Sequence, residues 1–283
     1  LMVATTFVFA LQDGISRHLA GEYNVWMVVM IRYWFFAAFV LTLSARQAGG
    51  LRTVACTDQP LLQFIRGVLL AVEICVMVYA FTVIGLVNAL AIFTCYPLLV
   101  AALSGPILGE RVGRLRWLAI GIGFLGVLII LKPGFGVFQP GALIAVSSAT
   151  LFALYGLLTR YAARRDTAAT SFFWTGITGC VFMTFIGVWH WEPMAHIDWA
   201  WMVILCITGA AGHYMLIKCY EVAEASVVQP FAFLQLVFGS VLGVAIFHEV
   251  ITWNVALGAT IVVAAGVFTL WRERVMAARA GVG

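Results

Sequence analysis

Ten apolar runs, each near the length of a bilayer crossing, dominate this 283-residue sequence. They fall near 1–19, 23–45, 60–83, 86–108, 115–131, 139–159, 168–189, 198–218, 226–247 and 252–271. A helix needs about 20 mostly apolar residues to cross hydrocarbon, where each backbone N–H and C=O must be satisfied within the segment. Runs such as "LAIGIGFLGVLIIL" do not alternate apolar with polar, so they read as helices and not as barrel strands. Composition agrees: 64% of residues are hydrophobic and 10% charged, whereas soluble domains carry about a quarter charged. The chain reads as an all-α integral membrane protein with about ten transmembrane helices.

If the runs alternate in direction, twelve basic residues fall on one side. They are Arg46, Arg52, Arg111, Arg114, Arg116, Arg160, Arg164, Arg165, Lys218, Arg272, Arg274 and Arg279. Basic loops stay in the cytoplasm, so that side is the cytoplasm and both termini lie on it. The expected topology is that of a multi-pass membrane protein. The formal net charge of +4 says nothing about nucleic acid, because these residues sit at helix ends.

The chain also repeats itself. "FVFALQDGISRHLA" and "LFALYGLLTRYAA" share a phrase at a constant spacing of 143 residues (Phe9 to Phe152), with Arg17 falling on Arg160. A second stretch repeats at 139, with Glu110 on Glu249. An odd number of crossings per half makes the halves run in opposite directions. The expected units are 1–133 and 134–283, each of five helices. Inverted repeats build secondary transporters, in which two halves move about a site near the midplane.

Charged groups inside the runs cost roughly 2.5–3.5 kcal/mol each on insertion scales, so each needs a partner or a cavity. Asp13 and Arg17 are four apart on one helix face and could pair as a structural or gating contact, or meet substrate. Arg32 is either a buried structural arginine or the partner of Asp13. Glu73 lies near mid-span with no basic neighbour within a turn, which marks a proton-linked or amine-binding carboxylate; Arg66, Met77 and Tyr79 are placed on its face. His213 either makes a helix–helix hydrogen bond or lines the cavity. Pro97 and Pro230 interrupt the fourth helix of each half, where broken helices build sites. Tyr96 stands beside the first, and Gln229, Phe231 and Gln235 surround the second. Gln12 and Tyr155 occupy matching places in the repeated phrase. "GIGFLG" (Gly121, Gly123, Gly126) matches a dinucleotide fingerprint only by letters; no strand precedes it, so it reads as helix packing. The six cysteines are scattered singly and read as small apolar fillers.

"IRYWFFAAFVL" with Arg32, "YPLLVAALSGPILGERV" leading into "WLAIGIGFLGVLII", and the second copy "FLQLVFGSVLGVAIFHEVITWNVALGATIVVAAGVF" resemble the drug/metabolite transporter superfamily. The resemblance is to its ten-helix EamA-domain exporters, and it spans nearly the whole chain. Leu236 stands where the first copy has Pro97, a departure from symmetry. The resemblance implies an exporter of small metabolites, most like the aromatic amino-acid exporters of the group.

The expected function is therefore secondary transport of amino acids, aromatic ones favoured, by alternating access around a central cavity. Gln12, Glu73, Tyr79, Tyr96, Tyr155, His213, Gln229, Phe231 and Gln235 are the candidate substrate groups. Asp13, Arg17, Arg32, Pro97 and Pro230 are the gating or structural ones. No ATP-binding, catalytic or metal pattern is present in the sequence, so no cofactor or metal is expected, nor a nucleic-acid partner. The expected partners are a small-molecule substrate and the lipid bilayer, with the chain a monomer. A phosphorylated-metabolite or nucleotide-sugar antiporter would need several cavity cations. An intramembrane enzyme or a passive structural membrane protein are readings of another class.

Overall fold

The computed structural model describes residues 1–46, 50–109, 114–131, 140–222 and 231–280, which are almost wholly helical. In the first half, α1 (Met2–Glu22) is followed by α2 (Val25–Ala45), a short α3 (Gly50–Ala55) and α4 (Pro60–Ile84). A fourth crossing is split into α5 (Leu86–Phe93) and α6 (Tyr96–Leu108), and α7 (Arg114–Leu131) closes the half. The second half holds α8 (Pro140–Ala162), α9 (Ala168–Gly187), α10 (His196–Val222), α11 (Leu234–Phe247) and α12 (Trp253–Ala280). Among the described residues six crossings are long and apolar enough to span a bilayer; shorter apolar helices lie at Trp117–Ile130, Leu234–Phe247 and Trp253–Phe268.

Local chemistry sets the ends. The Asn24 side chain accepts from the Trp26 amide at 2.9 Å and starts α2, and Thr167 does the same for α9 through the Thr170 amide. Pro60 opens α4, where a missing N–H costs nothing. The fourth crossing breaks at Thr94 and Cys95, just before Pro97, which cannot donate to the turn behind it. Gly85 joins α4 to α5 at φ +83, a left-handed backbone that favours glycine.

Helix pairing follows the repeat. α1 packs along α10 as its counterpart α8 packs along α4, and α1 meets α11 as α8 meets α6. α2 pairs with its own counterpart α9, and α7 with α12. This exchange of partners is the twofold relation of an inverted repeat. Small residues let the seams close: a Cβ on Gly126 would lie 2.8 Å from the Gly258 carbonyl, and Gly239 and Gly243 of α11 receive Leu90 and Val87 of α5. The "GIGFLG" glycines Gly123 and Gly126 are thus packing residues, against Leu98 and α12. Gly109 ends α6 in a left-handed turn. Side chains such as Phe185 and Ile246 stay outside, facing where lipid would be.

Candidate functional site

Buried polar residues sit in three layers along the bundle, taking the side of the α1 C-terminus as outer. At the outer end Arg17 forms an ion pair with Glu249, and its guanidinium lies 4.3 Å over the Phe247 ring. The left-handed His248 turns the chain back after α11, so that Glu249 reaches the start of α5. There its two carboxylate oxygens accept from the Leu86 and Val87 amides, each at 2.8 Å. An acid at the positive end of a helix, capping two otherwise unpartnered N–H groups, is stabilising. A side chain at Gly85 would meet the same carboxylate at about 3 Å.

The middle layer holds Gln12, Asp13, Arg32, Tyr33, Glu73, His213 and Gln235. Gln235 of α11 donates to the Asp13 carboxylate at 2.7 Å, and Gln12 hydrogen-bonds it as well. Ser148 of α8 donates to Glu73 at 2.7 Å. His213 stacks on Phe36 with centroids 6.0 Å apart and meets Phe9 edge-on. Two small cavities flank this layer, each about 10 Å³, room for about one water. One is lined by Arg32, Tyr33, Phe36, Ile74, Gly209, Ala210 and His213. The other is aromatic, with Phe93, Tyr96, Pro97, Phe233 and Gln235 among its walls. Among the described residues, the two best-formed cavities at the expected central site are each about the size of one water in this conformation.

At the inner end, Arg66, fully buried, donates to Thr159 at 3.0 Å, hydrogen-bonds Gln63 and lies over the Tyr155 ring. Gln63 donates to Asp166 at 2.7 Å, and so does Thr57 at 2.6 Å. Asp166 lies between α8 and α9, and its acidity is a balance. Burial pushes the carboxyl up, but hydrogen bonds from Thr57, Gln63 and the Asp58 amide, with the charge of Arg66, bring it below its ordinary 3.8.

The structure thus brings Gln12, Asp13, Arg32, Glu73, His213, Gln235, Tyr96 and Pro97 to the midplane, with Tyr155 just inward. Two candidates lie elsewhere. Tyr79 is 52% exposed: it comes six residues after Glu73, about 240° further round the helix at 100° per residue, and so leaves that face. Phe231 is 41% exposed, and Phe233 lines the aromatic cavity in its place. The Asp13–Arg17 pair is not formed: the two side chains part along α1, Arg17 to Glu249 and Asp13 to Gln235. Gln229 and Pro230 lie outside the described residues. Sequence reasoning missed Tyr33, Phe93, Ser148 and Phe233; only Tyr33, beside Arg32 in "IRYW", had a neighbour that drew attention.

A bundle of two oppositely directed halves closing on a polar midplane defines a small-molecule transporter embedded in the membrane. The EamA-like transporter family model matches residues 1–132 and again 139–271, and the chain belongs to that family. It is similar to an S-adenosylmethionine uptake transporter of Rickettsia prowazekii (strain Madrid E), 23% identical over 94% of this chain and 89% of that one. It is 25% identical to a riboflavin transporter of Vibrio cholerae, covering 96% and 93%, and 24% identical to a pseudopaline exporter of Pseudomonas aeruginosa, covering 93% of each. A solved crystal structure matches with a TM-score of 0.68 at 18% identity over 97% of both chains, which shows the same fold.

Proposed function

We propose that the protein is a secondary transporter of small amphipathic metabolites with an amino-acid head, aromatic ones favoured, working by alternating access. It would sit as a monomer in a bacterial inner membrane with both termini cytoplasmic. Export is the direction favoured by the resemblance to exporters. One observation carries the substrate class: Gln235 lines the aromatic cavity and donates to Asp13, beside Arg32 of the polar cavity. A molecule lying across Gln235 and Asp13, between these two separate voids, would have a charged head on one side and an apolar ring on the other. The relative is named for S-adenosylmethionine, a molecule with an α-amino carboxylate head and an aromatic base. A phosphorylated cargo fits less well, since Arg32 is the one cation in the middle layer among the described residues.

Purified protein in liposomes, assayed for flux of labelled phenylalanine, S-adenosylmethionine, riboflavin and a sugar phosphate, tests this reading. Flux of the first two is expected, driven or altered by a pH gradient. Flux confined to riboflavin or the sugar phosphate would overturn it.

A further inference from the structure

Three buried polar groups in one small region of the midplane lack what their chemistry demands. Arg32 is 7% exposed, and no hydrogen bond or ion pair to its guanidinium is present among the described residues. The Tyr33 hydroxyl and the Gln12 carbonyl oxygen, on residues 1% and 6% exposed, have no hydrogen-bond partner. Arg32 and Tyr33 line the same void. Gln12 borders it: a Cβ on Gly209 would lie 2.9 Å from the Arg32 Nε and 3.4 Å from the Gln12 oxygen. Buried polar groups are nearly always paired, so two unpartnered buried atoms beside an arginine at one void mark a place for a polar guest, a water in this closed form or a polar group of a ligand.

The acids nearby do not fill the gap. Asp13 and Glu73 are close enough for their fields to act on Arg32, but Asp13 is held by Gln235 and Gln12, and Glu73 by Ser148. A purely structural arginine would be bonded to backbone carbonyls or to one of these carboxylates. This one is left with its fork of N–H donors facing an enclosed space walled by Phe36, Ile74 and Ala210.

We propose that Arg32 is the anchor for a carboxylate of the transported molecule, with Tyr33 as second donor and Gln12 accepting an N–H beside that carboxylate. The planar guanidinium matches a carboxylate through two parallel hydrogen bonds and stays charged where a lysine would not be fixed in direction. Asp13 then offers negative charge to an ammonium on the adjacent α-carbon, so the layer recognises an α-amino carboxylate. Gly209 has no side chain because a methyl there would crowd the guanidinium. This rests on the substrate reading above and names the group that reads the head.

Equilibrium binding to the protein in lipid nanodiscs tests it, with phenylalanine, its methyl ester, phenethylamine and phenylpyruvate as probes. Wild type is expected to bind phenylalanine at least about tenfold more tightly than the ester or the amine, the worth of a charged hydrogen-bonded contact. Arg32→Gln should bind acid and ester alike. Tyr33→Phe and Gly209→Ala, which keep the charge, should shrink the preference, and they carry the test if Arg32→Gln does not fold. A preference retained in Arg32→Gln, or in both milder variants when that one does not fold, overturns the anchor. Wild type binding phenethylamine as tightly as phenylalanine also overturns it, while leaving an amphipathic amine as cargo. Arg32-dependent binding of phenylpyruvate without phenylalanine upholds the anchor and overturns the amino-acid reading. No binding of any probe overturns both.

Discussion

Glu249 and Arg17 meet across the outer ends of α11 and α1, and the same carboxylate caps the first turn of α5. Three elements are tied through one side chain at the end away from the basic loops. On the alternating-access reading proposed above, this tie must loosen before anything can enter the midplane from that side.

Glu249→Gln and Arg17→Gln are each expected to favour the outward-open form. The readout is a cysteine at Gly14, where a Cβ meets nothing nearer than 3.8 Å. An impermeant thiol reagent should label it faster in either variant, by about tenfold, the worth of one charge-assisted contact. Unchanged labelling would mean that the ion pair holds the fold and not the gate.

Glu73 is buried, has one hydroxyl partner and makes no ion pair among the described residues. Glu73→Gln should leave exchange of substrate across liposomes intact while abolishing accumulation driven by a pH gradient. Loss of both activities together would assign it to the fold or to substrate binding.

Tyr96 and Tyr79 separate the site from the surface. Tyr96→Ala, which removes a wall of the aromatic cavity, should weaken binding of aromatic substrates about tenfold and of small aliphatic ones much less. Tyr79→Ala, on the outer face, should change neither. Equal loss for both substrate types in Tyr96→Ala would make that ring a packing residue only.

Asp166 ties the loop before α9 to the start of α4 at the inner end. Its folded acidity is depressed, so its stabilisation is present above pH 3.8 and is lost as pH falls below that value. Asp166→Asn should lower the thermal midpoint in detergent by about 2–4 °C at neutral pH. The gap to wild type should close on acidification. A gap that persists in acid would assign the loss to shape and not to charge.

The crossings were legible because hydrocarbon imposes a single length and period, and their ends follow Pro60, Asn24, Gly85 and Thr167. The inverted repeat was legible because helix chemistry is local and the phrase around Phe9 recurs around Phe152. What escaped was direction around each helix. An apolar surface meets lipid as readily as protein, so nothing in the letters told Phe231 from Phe233, whereas the six-residue spacing from Glu73 already turned Tyr79 off that face. The pairing of Arg17 escaped for another reason: spacing within α1 offered Asp13, but the nearest acid in space comes from a turn 232 residues on, from Arg17 to Glu249. Ser148 carried no sign of its role, because a serine in a membrane helix usually bonds its own backbone.

The seams between α2 and α9 and between α7 and α12 each join an element to its own counterpart. Such a seam looks the same from either face of the lipid. On the alternating-access reading proposed above, those two seams would be the axle, and the exchanging contacts of α1, α4, α8 and α10 the moving parts. The inward and outward forms then differ in energy only where the side chains of the halves differ, as Pro97 does from Leu236.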